Sequence, residues 1–209
     1  EMCIRDSVIE WAEHNGWRIP EHFKSDWSVD LECNADKKDD QFKPYGATPG
    51  HGIEWARLIV QWALSSFANR DGARPYIDAA EHLFARAVAD AWNADGTVGL
   101  AYTTDRNGKP VVTDRMHWTL AESLNTSATL YAATGEEMYA NWYATFAQYV
   151  DEHVIDHEGG SWFHQLDKNN HVIGTVWPGK SDLYHAFQST LIPFLDPAVS
   201  IATAVKNAE

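Results

Sequence analysis

The chain has 209 residues, 44% of them hydrophobic, and a formal net charge of −14. That supplies the core of one globular domain, two at most, while the charge opposes a nucleic-acid backbone and an anionic membrane surface. No apolar run reaches the roughly 18 residues of a membrane span, and two cysteines, Cys3 and Cys33, suit a reduced, cytoplasmic setting better than a disulfide framework.

The opening residues 1–7, EMCIRDS, show neither helical periodicity nor a cap and look like non-native adapter sequence, so fold reasoning starts at residue 8. A short helical stretch, VIEWAEH, leads into the turn-rich segment 16–28 and a long loop. Residues 51–68 then place Ile53, Leu58, Ile59, Trp62 and Phe67 near one helical face, and residues 76–92 do the same with Ile77, Ala80, Leu83, Phe84 and Val88. Residues 98–112 read as a hairpin-like loop. A helix over 114–135 stops at Gly135, and another over 136–154 opens on Glu136 and Glu137, which suit its dipole. A second hairpin-like loop covers 160–174, and a last helix over 181–195 has Ser181 as its N-cap and Pro193 as its limit.

The two loops match. Asp105 and Asp167 each precede a polar turn, Arg-Asn-Gly in one and Lys-Asn-Asn in the other, followed by a short apolar strand and a new helix. This is an internal repeat of 62 residues, with a looser third copy at 16–28. Both aspartates read as structural, bonding the backbone of their own turns. Repeated helical hairpins stack as a solenoid or close into a ring, and periodicity alone does not separate the two. The 10 Trp, 8 Tyr and 8 Phe exceed what a core needs, so some rings are expected to line a pocket with flat apolar faces, as a sugar site requires.

Each helix after a loop begins with polar or titratable groups: His51 and Glu54; His117, Trp118 and Glu122; Lys180, Asp182 and His185. Spacings of three and four put members of a set on one helical face. A closed ring would bring these helix starts to one mouth. Taken alone, His51 is equally a capped helix start whose ring bonds a loop carbonyl. His51, Glu54 and His185 could form a two-His, one-carboxylate metal set, but no HExxH, CxxC pair or aspartate-rich loop supports one, and no metal is expected. The chain lacks GxSxG, GxGxxG and P-loop motifs, so neither a serine nucleophile nor a bound nucleotide is suggested.

At YGATPGHGIEWARL, MHWTLAES, GSWFHQLD and GKSDLYHAFQ the chain resembles the N-acylglucosamine 2-epimerase superfamily, and most closely its aldose-ketose isomerase branch, the D-mannose isomerases. The likeness runs from about residue 8 to about residue 195, with four motifs in order. It implies an all-α fold, an (α/α)6 barrel with its site at one end. It also implies cofactor-free interconversion of an aldose and its 2-ketose, with D-mannose and D-fructose the expected pair. His51 and His185 match the two catalytic histidines, Glu54 the acidic residue on the first histidine's helix, and Glu122 a further active-site carboxylate. Trp118, Phe42, Gln165, Lys180 and Asp182 match positions that line or support the sugar pocket. Family members are about twice as long, so residues 8–209 are expected to be the C-terminal part of the barrel domain, roughly half of it, with short β-hairpins between helix pairs. That part would lack a further active-site histidine and expose apolar helix faces.

Moving a carbonyl between C1 and C2 passes through an enediol, and imidazole suits both proton steps because its pKa lies near neutrality. His185 is assigned the C1/C2 proton shuttle and His51 the ring-opening acid/base; Glu54 and Glu122 orient imidazoles and hydroxyls. The two histidine roles could be exchanged. Sulfoquinovose isomerisation and 2-epimerisation are alternatives on the same site. Of other classes, an inverting glycosidase would use Glu54 and Glu122 as paired carboxylates, and a helical-repeat module would only bind a sugar or partner. The expected partner is a monosaccharide, not nucleic acid or a membrane, and a homo-oligomer stays open.

Overall fold

The computed structural model describes residues 2–40, 42–180 and 183–208. It is predominantly helical, with helices α1 (Met2–His14), α2 (Pro49–Ser66), α3 (Arg70–Ala91), α4 (His117–Thr134), α5 (Glu137–Tyr149), α6 (His185–Gln188) and α7 (Ile201–Ala208). A π-helical turn, Val150–Val154, continues α5, and a 3-10 turn, Ile192–Phe194, follows α6. Among the described residues no helix is long and apolar enough to cross a membrane.

Helix α2 packs between α3 and α4, and α5 lies against α4. On α2 the buried stripe is Ile53, Ala56, Ile59, Val60 and Ala63, whereas Leu58, expected on that face, is 39% exposed. On α3 all five apolar positions read from the sequence are buried. Helix α3 begins six residues earlier than its pattern suggested, because the Asn69 side chain accepts from Gly72 N at 3.0 Å and caps it. Phe84 meets Tyr139, Trp142 and Phe146 edge-on, and Trp92 meets Phe146 and Tyr149 likewise, so much of the aromatic load is core between α3 and α5.

Helix α4 is unusual in burying Thr119, Ser123, Asn125, Thr126 and Ser127 along with its apolar residues. Several hydroxyls are satisfied locally: Thr119, Ser123 and Ser127 donate to carbonyls three or four residues back at 2.7–2.8 Å. Thr126 instead donates to Ile53 O at 2.8 Å and ties α4 to α2. Gly135 ends α4 in the left-handed region at φ 75°, as expected of a helix-stopping glycine.

The two loops share the same turn, although the first closes with an isolated bridge, Thr104 to Pro110, rather than paired strands. Asp105 N donates to Lys109 O and Asp167 N to His171 O, both at 2.8 Å. Asp105 Oδ1 accepts from the amides of Asn107 and Lys109, and Asp167 Oδ1 from those of Asn169 and His171. Both aspartates are therefore structural. The second loop contributes β2 (Gln165–Leu166) and β3 (Val172–Ile173), which join β1 (Arg115–Met116) in an antiparallel sheet of order β1-β2-β3. Segment 16–28 has a single bridge, Phe23 to Val29.

Besides the earlier start of α3, three segments differ from the sequence reading. Arg115 and Met116, inside the helix expected over 114–135, form strand β1, and α4 starts at His117. Helix α1 starts at Met2, within the stretch read as lacking helical pattern; Arg5 supplies a tertiary anchor, its guanidinium 3.4 Å from the Trp62 ring centre and 4.8 Å from that of Tyr76. The long helix expected over 181–195 is broken. Ser189 and Thr190 hydroxyls bond carbonyls three residues back, the backbone tightens to i→i+3 bonds, and Pro193 stops propagation. Ser181, the expected N-cap, lies outside the described residues.

Candidate active site

His51 sits in the first turn of α2. Thr48 is the extended N-cap, Pro49 occupies the first helical position, and His51 N bonds Thr48 O at 2.9 Å. Gly50 explains the glycine in this turn: a Cβ there would lie 2.5 Å from Thr119 Cγ2 and 2.9 Å from Trp118 Cη2. Its bare backbone lets the starts of α2 and α4 touch, which sets the His51 and Trp118 rings 5.1 Å apart.

Strand pairing positions the rest. β1 runs straight into α4, and its pairing with β2 (Met116 opposite Gln165) carries His117 N to within 3.0 Å of His164 O and their rings to 4.7 Å. From α6, the His185 ring lies 5.7 Å from Trp118 and 6.2 Å from His117. Trp118 thus has both His51 and His185 beside it, with ring centres 5.1 and 5.7 Å away. These groups, with Glu54, His164, Trp177 and Tyr184, line a cavity of about 530 Å³, within the range of small-molecule sites.

The His51 ring is held from the chain preceding it. Both Glu21 oxygens lie 3.0 Å from His51 Nδ1, and Glu21 Oε1 also accepts from Thr48 N at 2.9 Å. Burial disfavours the His51 cation, but the hydrogen bond and charge of Glu21, helped by Glu54, outweigh it and raise the pKa above the usual histidine value. Glu54 is also raised, by burial and by the charge of Glu122, against the opposing pull of Arg57 and His51.

The remaining sequence-derived site residues fall into different places. Glu122 is absent from the lining: Arg57 Nε and Nη2 donate to its two oxygens at 2.8 and 3.1 Å, in a pair with 4% and 1% side-chain exposure. It acts on the pocket through its charge on Glu54. Gln165 is fully buried; its amide donates to Asp114 at 2.6 Å and Thr175 at 2.9 Å, and its oxygen accepts from Val176 N at 2.9 Å. It therefore supports the segment that carries Trp177. Phe42 is 71% exposed and meets Trp177 edge-on at 6.2 Å. Lys180 pairs with Asp156 and donates to Gly160 O at 2.8 Å, outside the lining. Asp182 lies outside the described residues. Among the described residues no three His, Cys, Asp or Glu side chains converge to hold a metal ion.

Sequence reasoning assigned no role to Glu21, His164, Trp177 or Tyr184, and it named His117 only as a polar helix start. For Glu21 no spacing signal exists, since 30 residues of chain separate it from His51. His117 and His164 were within reach, because each adjoins a residue of the β1–β2 pair.

A family model described as N-acylglucosamine 2-epimerase (GlcNAc 2-epimerase) matches residues 2–189. A D-mannose isomerase of Pseudomonas cannabina pv. alisalensis is 41% identical over 210 residues, covering 100% of this chain and 51% of the relative. One of Thermobifida fusca is 43% identical over 199 residues, covering 95% of this chain and 48% of the relative. A crystal structure of D-mannose isomerase superposes with a TM-score of 0.81 at 28% identity, over 91% of this chain and 48% of that one. The chain spans about half the length of the curated relatives it matches.

Proposed function

The chain belongs to the N-acylglucosamine 2-epimerase family, and from that premise we propose that it carries the site of a cofactor-independent aldose-ketose isomerase interconverting D-mannose and D-fructose. The fold reading that goes with it is about half of an (α/α)6 barrel, its C-terminal part, with the helix starts of α2, α4 and α6 at the mouth. The observation that carries the proposal is the placement of the His51 and His185 imidazoles beside Trp118 in one cavity. An indole face offers an apolar platform for the C–H face of a sugar. Imidazoles beside it can give and take protons at neutral pH.

His51 acts first, exchanging protons with the ring oxygen and the anomeric hydroxyl to open the pyranose. His185 then removes the C2 proton while the carbonyl oxygen at C1 is protonated, giving a cis-enediol. Loss of the O2 proton and delivery of a proton to C1 yields the 2-ketose. Atoms balance without an external oxidant or reductant. Return of the proton to C2 on the other face would give the epimer, so glucose is a side product of the same intermediate. Among the described residues the pocket lining contains one carboxylate, Glu54, while both oxygens of Glu122 are engaged by Arg57. That favours proton shuttling by imidazole over the paired carboxylates of an inverting glycosidase.

The test is proton NMR of D-mannose in heavy water with the protein. Fructose formation is expected, with deuterium incorporated at C1 of fructose or at C2 of recovered mannose, and His185→Ala is expected to abolish the exchange. A folded wild-type protein that leaves mannose, fructose and their C–H signals unchanged rejects the proposal; exchange retained in His185→Ala rejects the role of His185.

A further inference from the structure

The least expected partner in the pocket is Glu21, which comes from the loop after α1 rather than from a helix start. Its carboxylate is 10% exposed and meets His51 at Nδ1 with both oxygens at 3.0 Å. A carboxylate can only accept, so Nδ1 must carry the proton, and Nε2 is the nitrogen left for substrate. The same carboxylate is itself fixed, because Thr48 N donates to Oε1 at 2.9 Å at the start of α2. Carboxylate, helix start and imidazole thus form one rigid unit whose ring cannot rotate without losing the contact.

We infer that Glu21 is a positioning residue for His51, holding the Nδ1–H tautomer and aiming Nε2 at the sugar. This rests on the reading of His51 as an acid/base of the isomerase. The groups that bear on His51 are Glu21 from the preceding loop, Glu54 one turn along α2, and the imidazoles of His117 and His185 from α4 and α6; Tyr102 stands close enough to Glu21 for that charge to raise its own pKa, after the larger effect of burial. Of these, only Glu21 hydrogen-bonds the ring. As the ring takes up a proton during turnover, the fixed negative charge beside Nδ1 stabilises the imidazolium without reorganisation.

A purely structural role, anchoring the start of α2 through Thr48, makes different predictions. Glu21→Gln keeps an oxygen for Thr48 N and removes the charge. With histidine side chains labelled with nitrogen-15 and His51 assigned through His51→Gln, ring-nitrogen NMR reads tautomer and titration directly, independently of turnover. Wild-type His51 is expected in the Nδ1–H form, and Glu21→Gln is expected to lower its pKa by on the order of one unit. The acid limb of the kcat profile should move the same way, with kcat falling on the order of tenfold to a hundredfold and KM changing little. Glu21→Asp should restore part of the pKa and of kcat. An Nε2–H tautomer in the wild type overturns the inference without any variant, so a misfolded Glu21→Gln does not protect it. A folded Glu21→Gln with unchanged His51 pKa and pH profile overturns it as well. If the wild type isomerises no sugar, the functional reading fails, and the NMR titration still decides whether Glu21 controls His51.

Discussion

Replacing Glu122 by leucine should be among the most damaging single changes in this chain, although Glu122 does not line the pocket. Its two oxygens receive the Nε and Nη2 groups of Arg57, and the pair is nearly inaccessible, with side-chain exposures of 1% and 4%. Arg57 has one further partner, Gln61, through Nη1 at 3.0 Å. Two unit charges about 4 Å apart attract by about 4 kcal/mol at an effective dielectric near 20, and removing one member of a buried pair typically costs about 3–5 kcal/mol because the other stays buried and uncompensated. At about 2–4 °C per kcal/mol for a domain of this size, Glu122→Leu should lower Tm by roughly 6–20 °C. The double variant Arg57→Met/Glu122→Leu removes both charges and should return to within about 1–2 kcal/mol of the wild type. Urea unfolding of the four proteins, followed by circular dichroism, measures the cycle. A single variant that costs less than about 1 kcal/mol, or a double variant as unstable as the single, would refute the claim that the pair is a buried, mutually dependent unit.

Gly50→Ala should cost about 1–3 kcal/mol, because the new Cβ would overlap Thr119 and Trp118; an unchanged Tm would show that the α2–α4 approach is looser than described. Stability should also depend on His51 and pH with a definite sign. Its folded pKa is raised, so its contribution is complete below the unfolded value of about 6.5 and is lost as pH rises through the folded value. The Tm difference between wild type and His51→Asn should accordingly be larger at pH 6 than at pH 9, and the opposite trend contradicts the Glu21 contact. Gln165→Glu should be less stable than Gln165→Leu, since a carboxylate would face Asp114 where the amide now donates at 2.6 Å; thermal melts giving the reverse order would mean that the amide is turned the other way.

Helices with a strong apolar period were legible in the sequence: α2 and α3 owe their stripes to local pattern, and Gly135 terminates α4 by its own backbone chemistry. So were the twin loops, because an aspartate bonding its own turn is a short-range event. His51, Glu54, Trp118 and His185 could be nominated together because they open the helices that follow loops, α2, α4 and α6, and the cavity does gather them. What sequence could not supply was contact at long separation. Arg57 and Glu122 are 65 residues apart, Glu21 and His51 are 30 apart, and in neither case does local spacing encode the pairing. The break after α6 was missed for another reason: serine and threonine hydroxyls competed for carbonyls that periodicity alone assigns to helix.

If the cavity holds a sugar, as proposed, its charged groups also decide which sugars it accepts. Its described lining has one carboxylate, Glu54, and no lysine or arginine, while Glu21 stands outside the lining against His51; the guanidinium of Arg57 is engaged by Glu122, and Lys180 by Asp156 outside the wall. A phosphorylated or sulfonated sugar entering this field would meet Glu54 with no lysine or arginine among the described lining residues to offset it, a penalty that a neutral hexose escapes. Competition assays should therefore find hexose phosphates and sulfonated hexoses to be much weaker inhibitors than their uncharged parents, with the gap narrowing as salt is raised.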